Sequence, residues 1–332
     1  MDNRSNNNWT KWHHIFHKKI FNDKKFIPNE IQLLISVSGG QDSMALLTLL
    51  DDIKNKHKWS INVWHGDHQW HSNSGIFAKN IKNYCSQKNI NFYSDTEKQS
   101  NVSTEERARE WRYKKLSKRA AEILNQNNAK IIYILTGHTS TDSTETFLLN
   151  LARGSNFAGL GGIPKKRLLD DKYFLVRPFL IFTRDETSKI CKDLKIPFWE
   201  DPTNSDTNLK RNFIRHKVIY ELEKFYPGCS SRISKFINYM REHHEERSEL
   251  CELAIKSCIS EEGIKRSILI NLGEQARTTI LYSLLSKKCI KQISSKNITD
   301  LSEQIIKKNQ GQQSFPDGIE VIWHKNYITI KS

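Results

Sequence analysis

The amino-acid sequence predicts an α/β protein: a doubly wound parallel sheet followed by a smaller, mainly helical domain that ends in a β-hairpin. Three observations predict it. Short apolar runs, continuous rather than alternating, recur up to about residue 180, as strands buried on both faces do. Segments with apolar residues at helical spacing separate them, so successive strands are joined through helices and run parallel. From about residue 218 the buried strands stop, and charged helical segments continue until two short alternating runs close the chain.

Each element has its own signal. Residues 9–26 place Trp9, Trp12, His13, Phe16 and Ile20 near helical spacing, with Lys11, Lys18 and Lys19 elsewhere, and read as an amphipathic helix whose aromatic side chains belong to the core. The first strand is 33–37, followed by a helix over 43–54. "SINVWH" (60–65) is the second strand, 75–88 a helix, and "INFYSD" the third strand. The long helix over 103–124 opens with a capping-box spacing, Ser103 three residues before Glu106. "KIIYILTG" is the fourth strand, and "DSTETFLLNLARG" a helix that Gly154 closes. "YFLVRPFL" gives one more strand and "TRDETSKICKDLKI" another helix. Residues 218–260 and 273–310 read as charged helices, and "GIEVIWHKNYITI" as a hairpin turning at Lys325 and Asn326. The change of character divides the chain into domains at 1–217 and 218–332.

Composition narrows the partners. The 332 residues carry a net charge of +15, which suits a polyanion whose phosphates are neutralised on binding. Six cysteines without a C-x-x-C pair argue against a zinc ribbon, an iron–sulfur site or a disulfide framework, and fit a reducing compartment. No apolar run is long enough to span a bilayer, and the first twenty residues lack the apolar core of a secretory signal. A soluble, cytoplasmic protein with no membrane partner is expected.

The stretch "LLISVSGGQDSMALLTLL" carries the chemistry. In open parallel sheets the ligand sits beyond the carboxyl ends of the strands, where residues 38–43 lie. Gly39 and Gly40 let the backbone approach a ligand closely, and the free amides of a helix start favour an anion. Ser38 and Ser43 add hydroxyl donors. Neither G-x-x-x-x-G-K-[ST] nor G-x-G-x-x-G is present. Asp42 is the informative residue: a carboxylate beside phosphates repels them unless a cation stands between, and Mg²⁺ is the usual bridge. The loop therefore predicts a Mg²⁺–nucleotide complex.

"SVSGGQDSMALL" resembles the S-x-G-G-x-D-S signature of the PP-loop ATP pyrophosphatases, which have a Rossmann-like nucleotide-binding domain. Four further stretches resemble one branch, the tRNA(Ile)-lysidine synthases: "WHGDHQW", "EERAREWRY", "GHTSTDSTETFLLNLARGSNFAGLGGI" and "DPTNSDTNLKRNFIRHKV". With the loop they span roughly 33–217 in the family's order. The resemblance implies that ATP adenylates the C2 oxygen of the wobble cytidine in a CAU-anticodon tRNA(Ile). The ε-amine of free L-lysine then displaces AMP to give lysidine, and both codon reading and charging change. It implies Asp42, Asp142 and Arg215 as catalytic residues, and Ser38, Gly39, Gly40, Gln41, Asp42, Ser43 and His65 as the ATP site, with Mg²⁺ held through ATP at Asp42. It further implies Arg109, Arg112, Glu145, Arg153, Asp201, Arg211 and Asn212 as contacts to substrate or tRNA, and 218–332 as a helical tRNA-binding domain.

Physical chemistry agrees at several of these positions. Arg109 and Arg112 share a helix face at i, i+3, and arginine grips phosphate bidentately. Asp142 and Glu145 share a face at the start of a helix, where one could meet the lysine ammonium or hold Mg²⁺. His65, Asp67, His68 and His71 suggest zinc, but strand alternation points His65 and Asp67 to one face and His68 to the other. The sequence also departs from the family pattern. His138-Thr139-Ser140-Thr141-Asp142-Ser143 stands where many relatives have His-His-x-Asp-Asp-Gln, so one acidic and one imidazole group are missing, and His71 stands where arginine is common. A further C-terminal module of longer members is absent, so acceptor-stem recognition is expected to be reduced or handled elsewhere. A tRNA thiolase on the same fold would need paired cysteines. A non-catalytic RNA-binding module would not need an intact 38–43 loop, and a small-molecule amide synthetase would not need the basic charge. The plastid stroma is the alternative compartment, and a homodimer is one assembly open to the chain.

Overall fold

The computed structural model describes residues 9–21, 26–69, 74–97, 105–155, 157–199, 207, 209–288 and 293–331. Ser103, His71, Asp201 and Cys289 lie outside them, and with them the capping pattern at 103–106. Contacts divide the chain into two compact units, 1–241 and 242–332.

The first unit is a six-stranded sheet. Helix α1 (Lys11–Phe21) leads into β1 (Gln32–Ser36), α2 (Gln41–His57), β2 (Ser60–Asp67), α3 (Ser74–Gln87) and β3 (Asn91–Thr96). Then come α4 (Glu105–Asn127), β4 (Ile132–Thr136), α5 (Ser140–Ala152) and the short α6 (Phe157–Leu160). β5 (Lys166–Asp170), β6 (Tyr173–Val176) and α7 (Arg184–Asp193) follow. The strand order is β3-β2-β1-β4-β6-β5, parallel except for β5, which runs antiparallel to β6. The chain winds outward from β1 to β3, then returns to place β4 on the other side of β1. The order therefore reverses between β1 and β4, and a crevice opens at their carboxyl ends.

The core explains the pattern. Leu33, Leu34 and Ile35 of β1 are fully buried, as expected for a central strand covered on both faces. Trp12, Phe16 and Ile20 of α1 are core residues, with the Phe16 ring edge-on to Phe179 at 5.5 Å. Every such side chain removed from water contributes roughly 1.5–3 kcal/mol.

Several boundaries differ from the sequence expectation for definite reasons. The strand expected over "YFLVRPFL" stops at Val176, because Pro178 has no amide for the ladder and opens a 3₁₀ turn, Pro178–Ile181. The antiparallel edge strand β5 was not anticipated; its burial follows no clean alternation, so it carries no period-two signal. Helix α5 begins at Ser140 rather than Asp142, because Thr139 caps it: its hydroxyl accepts from the Asp142 amide while Asp142 bonds back to the Thr139 amide. Gly154, at φ 71, follows its last turn.

Beyond α7, the expected helix over 218–260 is broken. α8 (Lys210–Phe213), a π-helical turn (Ile214–Ile219) and α9 (Tyr220–Phe225) form one rod, and Gly228 at φ 79 precedes α10 (Cys229–Cys258). The composition changes at 216–220, but the compact units part inside α10. Its first turns belong to the sheet unit: a Cβ on Gly162 would lie 2.8 Å from Ile237, and Arg241 Nη2 donates to the Gly161 and Ile163 carbonyls at 2.8 and 2.9 Å.

The second unit is helical with its own sheet. β7 (Ile259–Ser260), β8 (Gly263–Lys265), α11 (Arg266–Ile270), α12 (Glu274–Ser286), α13 (Ser295–Lys307), β9 (Gly311–Ser314), β10 (Glu320–Trp323) and β11 (Tyr327–Lys331) follow in order. The expected terminal hairpin is β10–β11, and it sits within an antiparallel sheet of order β7-β8-β11-β10-β9. Arg266 is 5% exposed and binds carbonyls only. Its guanidinium donates to Ile305 and Lys308 at the end of α13 and to Lys325 in the hairpin turn, at 2.6–3.1 Å. Those helix-end carbonyls have no intrahelical donor, and the cation meets the negative end of the dipole. Arg266→Ala should destabilise this unit by on the order of 3 kcal/mol, since buried acceptors lose a charged donor. Urea unfolding monitored at Trp323 measures it; a loss under about 1 kcal/mol contradicts the role.

Candidate active site

Beyond β1 the chain folds back on itself through its serines. The Ser43 hydroxyl donates to the Gly40 carbonyl at 2.9 Å and accepts from the Ser38 amide at 3.2 Å; the Ser38 hydroxyl accepts from the Gly40 amide at 3.3 Å. Gly39 sits at φ 94, a conformation that favours glycine, and its carbonyl accepts from the Trp199 amide at 2.9 Å. Gly40 is the N-cap of α2 and no side chain caps that helix, so its first amides and the positive end of its dipole face the crevice. The loop's other wall is β4. A Cβ on Gly137 would lie 3.0 Å from the Asp42 carbonyl carbon, the Ser43 Cα and the Ser43 nitrogen, so only glycine lets the strand end lie against the loop backbone.

The crevice is a cavity of about 290 Å³ bounded by this loop, the end of β2, α4 and the β4–α5 turn. Ser38, Asp42, Ser43, His65, Arg112 and Asp142 all line it, which brings together residues of four separate motifs. His65 is buried and donates Nδ1–H to the Val37 carbonyl at 2.8 Å, leaving Nε2 as an acceptor. Burial holds it below its ordinary pKa. His68 also lines the cavity, contrary to the alternation argument, because β2 ends at Asp67 and the backbone turns at Gln69, φ 53. Burial and the Arg112 charge push His68 down to about 4, and burial pushes His138 at the end of β4 down to about 3. These imidazoles are neutral near pH 7. Among the described residues, no three His, Cys, Asp or Glu side chains cluster as a ready-made metal site.

Two carboxylates meet at this cavity. Asp42 Oδ1 accepts a short bond from the Thr187 hydroxyl and one from the Gln41 amide at 3.3 Å; Oδ2 accepts from Arg184 Nη1 at 3.4 Å. Burial is the largest influence and raises the Asp42 pKa; Arg184 opposes that and the Asp142 charge reinforces it. Asp142 Oδ2 accepts from the Thr139 amide at 2.7 Å, and Oδ1 from Arg215 Nη2 at 3.3 Å. Burial pushes Asp142 up, but the Thr139 amide and Arg215 outweigh it and hold the group below its ordinary range. One turn along α5, Glu145 is 1% exposed and bound at both oxygens by Arg215, Nε at 2.5 Å and Nη2 at 3.1 Å. Burial and the Asp142 charge push Glu145 up to about 7 against the pull of Arg215. Arg215 lies in the π-helical turn, whose widened pitch is frequent at functional sites.

Other expected residues fall elsewhere. The Gln41 side chain ties α2 to α7 through the Arg184 carbonyl at 2.8 Å and the Thr187 hydroxyl at 3.0 Å, so its amide is used within the fold. Arg153 is the exposed C-cap of α5, away from the cavity lining. Arg109 stacks on Tyr113, with Cζ 5.2 Å from the ring centre. Asn212 is buried on α8 and Arg211 lies near enough to lower the Glu145 pKa. Arg184, Thr187, Gly137 and His138 were missed. His138 had a signal, since it stands in the Gly-His pair at the head of the stretch "GHTSTDSTETFLLNLARGSNFAGLGGI". The reach of Arg184 and Thr187 to Asp42 had none, because it depends on how α7 docks: its first amide, that of Arg184, donates to the Thr141 hydroxyl at 3.1 Å.

Residues 11–222 match the model of the PP-loop domain family. Over 330 residues the chain is 53% identical to the tRNA(Ile)-lysidine synthase of Prochlorococcus marinus subsp. pastoris, covering 99% of this chain and 98% of that one. The chain belongs to the tRNA(Ile)-lysidine synthase family. That is a family of ATP-using, tRNA-modifying ligases, and this member carries the PP-loop domain over residues 11–222. A chloroplastic member from Pyropia yezoensis is 37% identical over 260 residues, covering 72% of this chain and 77% of that one. Among solved structures, the U34-tRNA thiolase NcsA from Methanococcus maripaludis matches with a TM-score of 0.55 at 15% identity, covering 70% of this chain and 80% of that one, which shows the shared fold. No helix among the described residues is long and apolar enough to cross a membrane.

Gly137→Ala tests the close approach of strand and loop. The added methyl should displace the loop by a few tenths of an ångström and weaken ATP binding about tenfold, or about 1.4 kcal/mol. Calorimetric titration with Mg²⁺–ATP reads this directly, and an unchanged Kd would show that the loop tolerates the contact.

Proposed function

We propose that this chain adenylates the C2 oxygen of the wobble cytidine in CAU-anticodon tRNA(Ile) and then joins free L-lysine to that carbon, forming lysidine. The observation that carries the reading is the pairing of Asp42 and Asp142 across one cavity beside an uncapped helix start. The first amides of α2 would hold the pyrophosphate end of ATP. Asp42, raised by burial and further by its acidic neighbour, suits a divalent cation shared with phosphate oxygens, and Mg²⁺ bound there would neutralise charge developing on the leaving pyrophosphate. The cytidine oxygen attacks the inner phosphorus and pyrophosphate leaves. The lysine ε-amine, having lost a proton, attacks C2, and AMP leaves with the former C2 oxygen.

Asp142, which lines the cavity, and the buried Glu145 one turn behind it share Arg215, and two carboxylates against one guanidinium leave a negative charge suited to the lysine ammonium. A carboxyl poised near 7 also suits the proton the amine must shed. Cysteine chemistry is poorly supported: burial pushes the Cys85 and Cys191 thiols up to about 12, leaving almost no thiolate at neutral pH. The expected compartment is one that holds tRNA, ATP and lysine together, the cytoplasm or a plastid stroma.

Incubation with ATP, Mg²⁺, radiolabelled lysine and CAU-anticodon tRNA should transfer label into RNA. Asp42→Asn should lower that transfer by at least a hundredfold while leaving tRNA affinity within about twofold, the scale of one lost electrostatic contact in a transition state. Unchanged turnover would remove Asp42 from the mechanism. Lysine binding should also depend on pH with a definite sign. Deprotonated Glu145 attracts the ammonium and protonated Glu145 does not, so lysine affinity should rise from pH 6 to pH 8 about the value near 7. Glu145→Gln should flatten the profile; a wild-type affinity that falls over this range would contradict the assignment.

A further inference from the structure

Near His138, close enough for their charges to act on it, Arg177 and Arg109 gather with Arg167 around one tyrosine. Arg109 of α4 and Arg167 of β5 stack on Tyr113 with Cζ 5.2 and 5.5 Å from its ring centre. Arg177, which directly follows β6, is 2% exposed; its Nη1 donates to the Pro164 carbonyl at 2.6 Å and its amide to the Lys165 carbonyl at 2.9 Å. Its Nε is buried and has no hydrogen-bond partner in the protein. No carboxylate among the described residues pairs with Arg109, Arg167 or Arg177.

Guanidinium groups so close together repel, and one of them carries an unmet donor in the interior. Buried polar groups are almost always satisfied, so such a donor calls for an explanation. Burial pulls the Arg177 guanidinium below its ordinary value, with Tyr113 opposing and the Arg109 and Arg167 charges adding to the pull. The β5–β6 register pairs Lys166 with Val176 and Arg167 with Leu175, which sets Arg167 on the edge strand beside the carboxyl end of β6, where Arg177 follows.

We infer that Arg109, Arg167 and Arg177 form a second anion site that takes a phosphodiester group of the RNA substrate, beside the nucleotide delivered to the cavity. The inference deepens the proposed tRNA reading and rests on it. Arginine forks match phosphate oxygens, and three guanidinium groups without a carboxylate partner among the described residues make a locally positive site that an anion would neutralise. Exposure decides between sources of phosphate. Arg167 stands in solvent on the edge strand, where a polymer backbone can reach it, whereas the tail of ATP has its own cradle at 38–43. Arg109 and Arg167 would grip the phosphate, and the buried Arg177 would hold the 164–165 loop ahead of β5 and add its positive charge from behind.

The test uses the full chain with a CAU-anticodon tRNA transcript across a salt series. Arg167→Ala should weaken tRNA binding about tenfold and reduce the slope of log affinity against log salt by about one, the signature of one lost phosphate contact. Arg167→Lys, which keeps the charge but loses the fork, should recover part of the affinity. Affinity for Mg²⁺–ATP and for inorganic pyrophosphate should stay within twofold. Unchanged tRNA affinity and slope in Arg167→Ala and Arg109→Ala would overturn the site. So would a parallel loss of pyrophosphate binding, which would make the anion the tail of the nucleotide. Wild-type label transfer from lysine into the same tRNA, measured in parallel, separates a failure of this site from a failure of the proposed function.

Discussion

Two carboxylates facing one small cavity at the end of a parallel sheet create an electrostatic demand that the surrounding structure is arranged to meet. Burial raises the proton affinity of Asp42 and the nearby Asp142 adds to it, whereas the Thr139 amide and Arg215 hold Asp142 below its ordinary range despite its burial. The partners come from different parts of the chain: Arg184 and Thr187 from α7, Arg215 from the π-helical turn. The sheet order, reversing between β1 and β4, makes that convergence geometrically available. Without the cations the pair would protonate or repel; with them both carboxylates can face the same cavity.

Arginine serves this fold in three physically distinct ways. Arg215 bonds two carboxylates at once, and truncating it would leave Glu145 as a buried, uncompensated acid. Arg266 meets only backbone carbonyls, acting as a cap that joins the end of a helix to a hairpin. Arg177 meets loop carbonyls yet keeps an unsatisfied donor among like charges. The +15 excess is therefore not uniform solvation; part of it is spent inside the protein on specific acceptors.

Much of the sheet was legible because its strands are continuous apolar runs with a single buried answer, as at Leu33, Leu34 and Ile35. The loop was legible because two glycines, two serines and an aspartate at a strand end have few other uses. Asp142, Glu145 and Arg215 were assigned from motif resemblance, and the structure brings the three side chains together. What stayed hidden depended on docking or on capping. Gln41, assigned to ATP, uses its side chain to tie α2 to α7. Thr139 begins α5 two residues early because a hydroxyl and a carboxylate three positions apart close a capping box. The edge strand β5 has no period-two pattern, and β7 and β8 are too short to leave one. The compositional change near 218 did not mark the compact units, since Ile237 and Arg241 of α10 pack on the 161–163 loop.

The most direct test asks which molecule attacks the inner phosphorus of ATP. If a nucleobase oxygen does, labelled pyrophosphate should exchange into ATP when the chain, Mg²⁺ and CAU-anticodon tRNA are present without lysine, and should not do so with lysine alone. Exchange that requires lysine and proceeds without tRNA would mean that the amino acid, rather than the cytidine, is activated in the cavity between Asp42 and Asp142, and would contradict the proposed chemistry.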